Sequence, residues 1–564
     1  IGRIAFIVLT FLLVTSSLSL LYMMSSAYLV DVPARGGSLV EGVIGTPRFV
    51  NPLLAISDAD RDLVALVYSG LLKQAPNGTF VPDLAESYSL SEDGRTYTFI
   101  LKKDVVFQDG TPVTADDILY TVARAQDPAI KSPKRANWDG VIVEKDDDYT
   151  VRFVLKSPYA PFIANATLGI LPKALWKDVT ADDFTYSKYN FEPIGSGPYR
   201  VTEVTRNASG IPANYWLNAF SKFQGGKPYL SSLTLTFFEN EERLAEALVA
   251  GEIEAASSLS PERLNQLQGM KVYRAPLNRV FGVFFNQNQS EVLRDSDVRE
   301  ALDTAIDRNA LIAEVVHGYG TPVHEPLPPG LIGQPKELSH GTDEGAIDTS
   351  ASSTDLAMLA RQQLMDAGWT IDPETNMLVL TSKTGSTPLR FTLATGNIPE
   401  LRAAAEFVRR EWQRMGADVE VKIYEAGDLG QNVIRPRKYD ALLFGEVVSR
   451  ELDLFAFWHS SQRNDPGLNV ALYANPSADT LLENLRTTTD ITTRIESYRK
   501  FKEEIEKDTP AVFLYSPDFT YIFPERIEGL NLGSIGNPSE RFLSAQDWHV
   551  ENDRVWSFLS RWAD

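Results

Sequence analysis

The start of the chain contains an uncharged stretch that is long enough to cross a membrane. Ile4 to Val30 are 27 consecutive positions without a charged side chain, between Arg3 and Asp31. A helix of that length spans about 40 Å at ~1.5 Å per residue, more than the hydrocarbon core of a bilayer. A signal-peptide core needs only ~7–15 apolar residues, so the length favours a retained membrane anchor.

Two features bear on how this stretch is used. Small residues at Ser25-Ser26-Ala27 and at Val32-Pro33-Ala34 keep a cleavable signal open as the alternative. Arg3 lies on the short side of the stretch and places that side in the cytoplasm. We therefore expect everything after about residue 35 on the extracytoplasmic face of the cell membrane, in the periplasm or at the cell surface.

Composition excludes several classes of protein. The 564 residues carry a formal net charge of −21, so the surface repels nucleic acid and anionic lipid. The chain has no Cys, which excludes disulfides, thiolate metal sites and cysteine nucleophiles. Its length is sufficient for two or more lobes.

An acidic cluster at 105–122, VVFQDGTPVTADDILYTV, raises the question of a catalytic or metal site. Asp109 belongs to DGTP, which is typical of a turn. Thr114 suits the N-cap of a helix, and Asp117 stands three residues on, as in a capping box. Asp116 and Asp117 then fall in the first turn, where the helix dipole favours negative charge. The sequence predicts that these carboxylates are structural.

Strands and helices alternate in two well-separated regions. The first is predicted as strand 233–238, helix 241–251 and strand 252–257. The second is predicted as strand 389–395, helix 399–416 and strands 417–424 and 439–444. Two such regions predict an α/β protein with two lobes.

Catalytic and metal-binding motifs are not found. The His residues stand at 317, 324, 340, 459 and 549, and no pair has metal-ligand spacing on a helix. The GSG at 195–197 lacks the G-x-S-x-G spacing of a nucleophile elbow. We therefore predict no catalytic residue, no metal and no cofactor.

Six stretches, in the same order, resemble one protein family. They are 36–55 (GGSLVEGVIGTPRFVNPLLA) with 66–122, 191–201 (FEPIGSGPYRV), 281–290 (FGVFFNQNQS), 295–312 (DSDVREALDTAIDRNALI), 367–369 (AGW) and 438–445 (KYDALLFG). Together they resemble the extracytoplasmic solute-binding proteins, family 5, of ABC importers for oligopeptides, dipeptides and nickel. The resemblance covers about residues 36–548.

This resemblance implies an α/β, two-lobed periplasmic-binding-protein-like fold with an enlarged first lobe, preceded by one N-terminal transmembrane helix. Ligand would be enclosed between the lobes by hinge closure. The expected divisions are 1–35 (membrane anchor or signal), 36–275 (first lobe, with an extra subdomain at about 50–190), 276–510 (second lobe) and 511–564 (return to the first lobe and tail). Crossovers are expected near Arg274–Arg279 and Pro510–Ser516. Near-helical spacing of Trp556, Phe558, Leu559 and Trp562 predicts a helix in the tail 549–564.

In peptide-binding members of the family, the loop after the strand that matches YDALLFG carries an Asp for the peptide's amino group. Here the loop reads GEVVSRELDLFAFWHSS, 445–461. Gly445 matches, Glu446 replaces the usual aromatic residue, and the Asp falls at Val448 or Ser449, which are not acidic. Glu446 either supplies the missing charge from a shifted position or is a rim residue. Both interpretations remain open.

Other candidates follow from position alone. Trp458 is either a stacking surface for ligand or a core residue, and Tyr515 is either core or ligand contact. Thr46 and Pro47 stand in the first loop of the body. The full set of candidate ligand-binding residues is Thr46, Pro47, Gly445, Glu446, Val447, Ser449, Trp458, His459 and Tyr515.

The expected function is a receptor that captures a peptide, or another small polar solute, and delivers it to the permease subunits of an ABC importer. We expect a monomer that is held at the membrane by its N-terminal helix and binds no nucleic acid. The alternatives are an extracellular binding, chaperone or adhesion role on the same fold and, less favoured, a hydrolase that uses carboxylates in the cleft.

Overall fold

The structure is a computed structural model that describes residues 2–267, 269–331, 355–383, 385–449 and 451–556. The sequence from 330 to 354 has few apolar residues, which predicts a surface loop, and it lies almost wholly outside the described residues. The helices are α1 Gly2–Tyr28, α2 Asp58–Val67, α3 Ala115–Gln126, α4 Arg135–Trp138, α5 Lys173–Trp176, α6 Glu241–Ala250, α7 Pro261–Gln266, α8 Ser296–Thr304, α9 Arg308–Val315, α10 Leu356–Asp366, α11 Pro399–Met415, α12 Ala426–Asp428, α13 Phe455–Trp458, α14 Pro476–Thr487 and α15 Ile491–Asp508. Short helical turns lie at Ala160–Thr167, Phe184–Tyr186, Lys188–Asn190, Val292–Arg294, Leu429–Ile434, Ser460–Gln462 and Pro538–Asp547.

The strands are β1 Leu29–Pro33, β2 Ser38–Ile44, β3 Leu72–Gln74, β4 Phe80–Pro82, β5 Ala85–Leu90, β6 Thr96–Leu101, β7 Ile142–Asp147, β8 Thr150–Val154, β9 Tyr199–Arg206, β10 Pro212–Ala219, β11 Ser232–Phe238, β12 Ala255–Ser257, β13 Val272–Pro276, β14 Arg279–Phe285, β15 Gly320–Pro322, β16 Thr370–Ile371, β17 Leu378–Ser382, β18 Gly385–Pro388, β19 Arg390–Gly396, β20 Asp418–Tyr424, β21 Ala441–Val447, β22 Ala511–Ile522 and β23 Asn552–Trp556.

The uncharged N-terminal stretch forms the long helix α1. Its segment Gly2–Leu20 is apolar enough to cross a membrane, and none of that segment is buried against the body. Length and composition of this kind suit an anchor and a signal sequence equally well. The helix leads directly into β1, which pairs antiparallel with β23 over five residues.

This pairing corrects the helix predicted for the tail. Residues 552–556 form a strand, and Phe558, Leu559 and Trp562 lie outside the described residues. The strand forms because its partner, more than five hundred residues earlier in the chain, supplies the hydrogen bonds and an ion pair between Arg554 and Asp31. Periodicity within the tail carries no information about that distant partner.

One sheet runs through both halves of the body. Its strand order is β20-β19-β21-β14-β22-β12-β2-β11-β10-β9, and β13 and β15 also pair with β22. The long strand β22 belongs to both halves: Ala511–Tyr515 pairs with β14, and its far half pairs with β12 and β13. The chain therefore crosses between halves at Leu277–Asn278 and again near Ser516–Pro517.

The hydrophobic cores divide at the same place. The first lobe packs residues from Leu39 to Ala275 with residues from Phe519 to Trp548. The second lobe packs residues from Val280 to Tyr515 in two cores, one on each face of its part of the sheet. Ala511–Tyr515, which the sequence analysis assigned to the return to the first lobe, thus pack in the second lobe.

The acidic cluster at 105–122 builds the start of α3. The backbone N–H and the hydroxyl of Thr114 both donate to Asp117 Oδ2, at 2.9 and 3.0 Å. Asp117 Oδ1 accepts from the backbone N–H of Lys173. Asp109 accepts from Thr111 within the turn, and Asp116 pairs with a lysine. The structural interpretation is confirmed, because each carboxylate has a local partner.

The GSG turn is also structural. The side-chain amide of Gln108 donates to the carbonyls of Val67, Gly197 and Tyr199, and its oxygen accepts from Gly195 N–H. The backbone at Gly195 and Gly197 approaches Val67 so closely that a Cβ at either position would collide with it. Glycine is therefore required by packing.

Candidate functional site

The carboxyl ends of the parallel strands in both lobes point to the junction between the lobes. β2 runs parallel to β11 and β12, and β12 is antiparallel to β22, so the carboxyl end of β2 lies toward Pro517. In the second lobe β19 is parallel to β20 and β21, and the last residue of β21, Val447, pairs with Arg279 at the crossover. Ligands of open α/β sheets bind outside such carboxyl ends.

Residues 445–449 leave β21 at this junction. The backbone N–H of Val448 donates to the carbonyl of Asn278, which joins the loop to the crossover. Val447 is 52% exposed and Ser449 is also exposed. Gly445 lies against the ring of Phe281, so closely that a Cβ added at this position would be 2.6 Å from the ring. The loop is thus held at its base and open to solvent beside it.

Glu446 is buried and has no hydrogen-bond partner among the described residues. Glu446 on β21 is the pairing partner of Val280 on β14, so the two side chains lie on the same face of the sheet. The residue is 3% exposed, and neither carboxyl oxygen meets a donor in hydrogen-bond geometry. Burial raises the pKa of Glu446 to about 8. The Trp458 indole lies close enough to oppose that rise, although the pair falls outside hydrogen-bond geometry.

Two other orphaned polar atoms belong to the same region. Asn278 is 2% exposed, and its Oδ1 has no donor among the described residues. Trp458 is fully buried, and its indole N–H likewise has no acceptor. Buried polar groups are normally satisfied, so a cluster of them needs an explanation. Glu446 and Asn278 together present acceptors, a set that suits a ligand rich in N–H donors.

Tyr515 lies on the opposite face of the same strands. It is fully buried, stacks on Phe281 with ring centroids 5.1 Å apart, and donates its hydroxyl to Glu400 Oε1 at 2.5 Å. Burial raises the pKa of Glu400, and the Tyr515 hydroxyl and Arg279 oppose that rise. Glu400, in the first turn of α11, was not a candidate from sequence; only its place after Pro399 at a helix start marked it.

Trp458 and His459 lie away from open space. The Trp458 ring packs against Phe284 and Phe513 in the second-lobe core. His459 stacks on Phe455 at 4.0 Å between ring centroids and hydrogen-bonds Ser461 through Nδ1. The structure therefore gives both rings packing roles in this conformation, and only the Trp458 N–H stays near Glu446.

Thr46 and Pro47 stand on the first-lobe side of the junction. They follow the last residue of β2, Ile44, after one glycine. Thr46 is half-buried and Pro47 is buried. Six of the nine candidates thus lie on or beside the second-lobe strands near the crossover. Thr46 and Pro47 follow the first-lobe strand that ends toward the crossover, and His459 lies beside α14.

Two cavities lie elsewhere. One of about 500 Å³ is lined by Arg390, Phe391, Thr392, Asp418, Glu420 and Asp440, at the amino ends of β19 and β20. The other, of about 330 Å³, lies in the first lobe between Phe49, Ile130 and Tyr186. Within the described ranges, no cluster of His, Asp and Glu is arranged to hold a metal ion.

Comparison with known proteins identifies a family. Residues 79–467 match the bacterial extracellular solute-binding proteins, family 5. The oligopeptide-binding protein AppA of Bacillus subtilis (strain 168) is 30% identical over 527 residues, which cover 92% of each chain. Protein XP55 of Streptomyces lividans is 30% identical over 514 residues, covering 87% of this chain and 86% of that protein.

Solved structures agree. The oligopeptide-binding protein AppA from Bacillus subtilis in complex with a nonapeptide has a TM-score of 0.65 at 27% identity, over 92% of this chain and 100% of that one. NikZ from Campylobacter jejuni in complex with Ni(L-His) has a TM-score of 0.65 at 22% identity, over 91% and 99%, and is evidence for the fold alone. The predicted α/β, two-lobed fold with an N-terminal apolar helix is confirmed.

Proposed function

Because the chain belongs to the bacterial extracellular solute-binding proteins of family 5, as the six sequence stretches predicted, we propose that it captures a peptide between its two lobes for an ABC importer. The relatives at 30% identity include a protein named for oligopeptide binding, and a solved relative holds a nonapeptide. These proteins bind rather than transform their ligands, and we extend that binding role, without catalysis, to this chain.

The observation that carries peptide recognition is the carboxyl group of Glu446 at the lobe junction, which has no hydrogen-bond partner among the described residues. An unpaired buried carboxylate is costly, and the group stays protonated until a cation arrives. A peptide's terminal ammonium has three N–H donors, which match the two oxygens of Glu446 and Oδ1 of Asn278. We infer that Glu446, on the strand, takes the role that a loop Asp has in the peptide-binding relatives.

Gly445, Val447 and Ser449 would contact the peptide beside its amino group. Val447 and Ser449 are exposed at the junction, where an extended peptide can reach their backbone. Thr46 and Pro47 would close over it from the first lobe. Tyr515 would act indirectly from the opposite face of the sheet, where its ring stacks on Phe281 and its hydroxyl donates to Glu400.

The partners follow from the family and from α1. Family members work outside the cytoplasm, and we infer that α1 is retained as the anchor that keeps the receptor beside the permease subunits of its importer. The acidic surface, with a net charge of −21, gives no basis for nucleic-acid binding. We expect the receptor to act as a monomer.

A matched pair of ligands tests this function. The full chain in detergent is titrated calorimetrically with defined peptides of two to nine residues, each in free and N-acetylated form. The proposal predicts that free peptides bind and that acetylation abolishes most of the affinity. Equal binding of both forms would contradict the role of Glu446, and binding of none would contradict peptide capture itself.

A further inference from the structure

The two lobes also touch on a side away from the crossover. Tyr159, which precedes the helical turn Ala160–Thr167 of the first lobe, donates its hydroxyl to Asp453 Oδ2 at 3.0 Å. Asp453 belongs to the loop that continues from residues 445–449 in the second lobe. Its partner Tyr159 is 294 residues away in the chain and on the other lobe.

Asp453 is held rigidly on the second-lobe side. Arg486 Nε, from α14, lies 3.1 and 3.2 Å from its two oxygens, and the backbone N–H of Phe455 donates to Oδ1. The Arg486 guanidinium in turn covers the rings of Phe455 and Tyr159, at 4.2 and 5.3 Å from their centroids. The side chain of Asp453 is only 12% exposed. Tyr159 therefore meets a preformed acceptor.

Tyr159 is also held within its own lobe. Tyr97 of β6 donates to the carbonyl of Tyr159. Burial raises the pKa of Tyr97 to about 12, so its hydroxyl remains a hydrogen-bond donor at neutral pH. Glu451 is paired with Arg494 of α15. Each side of the contact is thus held by its own lobe: Tyr159 by Tyr97, and the loop by Arg486 and Arg494.

The loop connects this contact with the ligand site. Between Glu446 and Asp453 it is pinned by Val448 N–H to Asn278 O and by Leu452 N–H to Ser449 O. The second of these bonds ties together the described residues on either side of position 450, so we infer that a shift at one end of the loop reaches the other. An arrangement of the loop that fits a ligand at residues 445–449 is therefore the arrangement that presents Asp453 to Tyr159.

We propose that Tyr159 is a positioning residue whose hydrogen bond to Asp453 latches the first lobe onto the ligand-binding loop and slows the release of bound peptide. This inference rests on the proposed function for its ligand, although the contact itself does not. The latch forms only when the lobes are closed, so it stabilises the closed state over the open one. Capture begins from the open state, so loss of the latch speeds dissociation and changes association only as far as it enlarges the open population of the unliganded protein.

The absence of Cys allows direct measurement of closure. Glu203→Cys on β9 and Glu420→Cys on β20 place dyes on the two outermost strands of the sheet, both at exposed positions. Single-molecule energy transfer on the full chain then reports the open and closed populations. Tyr159→Phe removes the hydroxyl and keeps the ring under Arg486. We expect the ratio of open to closed to rise about tenfold, as for loss of a hydrogen bond to a charged group.

A matched variant controls for loss of a tyrosine hydroxyl. Tyr120 donates to the carbonyl of Trp176 at 2.7 Å, entirely within the first lobe, and Tyr120→Phe should leave the populations unchanged. With a peptide shown to bind, Tyr159→Phe should raise the dissociation rate by about the same tenfold factor, and it should raise the association rate only by the measured gain in the open fraction.

The outcomes separate the latch from the proposed function. If Tyr159→Phe matches the parent or the Tyr120→Phe control, with and without a pool of defined peptides, the latch is overturned. It is also overturned if the parent is fully open without peptide and no peptide closes it. If no peptide binds but Tyr159→Phe still opens a closed parent, the latch stands and peptide capture fails.

Discussion

Replacing Glu446 by Gln should both weaken peptide binding and remove its dependence on pH. The substitution keeps the size of the side chain and one acceptor oxygen, and it removes the negative charge. In the unliganded protein burial raises the pKa of Glu446 to about 8, so the group is about 90% protonated at pH 7. An ammonium group pairs with the carboxylate, and one proton must therefore leave when the peptide binds.

The direction of the pH effect follows from that proton. The pKa is high without ligand and falls when the ammonium pairs with the carboxylate, so binding is favoured as pH rises toward the unliganded pKa. With a pKa of about 8, affinity should increase about tenfold from about pH 6 to about pH 7. The peptide's own amino group, with a pKa of about 8, stays mainly protonated in this interval.

The loss of binding free energy in Glu446→Gln has two opposing contributions. Removing one member of a buried, hydrogen-bonded charge pair costs roughly 2–5 kcal/mol of binding free energy. Deprotonating Glu446 in the parent costs about 1.4 kcal/mol at pH 7, and the Gln variant has no proton to release. The net loss for Glu446→Gln at pH 7 is thus roughly 1–4 kcal/mol.

Calorimetry measures both effects. Titrations at about pH 6, 6.5 and 7 in two buffers of different ionisation enthalpy give the affinity and the number of protons released. The parent should release nearly one proton, and Glu446→Gln should release none and show a flat affinity. Glu420→Gln, an exposed carboxylate on β20, is the control and should behave as the parent. A flat parent profile without proton release, or the same slope in Glu446→Gln, would refute the reasoning.

Three further predictions concern stability. Without ligand, raising the pH from about 4.5 to about 8 should lower the free energy of unfolding, because the folded state disfavours the charged form of Glu446. In urea denaturation, Glu446→Gln should lose this contribution to the pH dependence. An equal pH dependence in the parent and in Glu446→Gln would contradict the raised pKa of Glu446. Arg541→Met should cost roughly 3–5 kcal/mol, since it leaves the fully buried carboxyls of Glu41 and Asp62, now 2.7 and 2.6 Å from the guanidinium, without their cation; a urea midpoint like that of the parent would argue against the buried cluster. Gly445→Ala should lower the melting temperature through roughly 1–3 kcal/mol of overpacking against the aromatic ring beside it, and an unchanged midpoint would contradict that close contact.

Local sequence patterns predicted those parts of the structure whose partners are close in the chain. Thr114 and Asp117 are three residues apart, so the capping box could be recognised without knowledge of the fold. The alternation of 233–238 and 389–395 likewise predicted β11 and β19, because the face of a strand is encoded in consecutive residues.

Contacts between distant segments could not be predicted in this way. The tail strand depends on β1, and the Tyr159–Asp453 bond joins side chains 294 residues apart in the chain. Glu446 stood out as an acid in place of an aromatic residue, but its lack of a partner is a property of packing. The sequence was compatible with Trp458 as a ligand contact or as a core residue. The aromatic rings that surround it show that its side chain packs in the core of the second lobe.

Native mass spectrometry of the full chain, purified in detergent from its own cells grown in rich medium, would show whether the protein carries a peptide. We expect a population with added mass that departs on mild activation and fragments as peptide, and that returns when defined peptides are added to the stripped protein. A protein that emerges without added mass, and gains none from millimolar peptides, would contradict a peptide receptor.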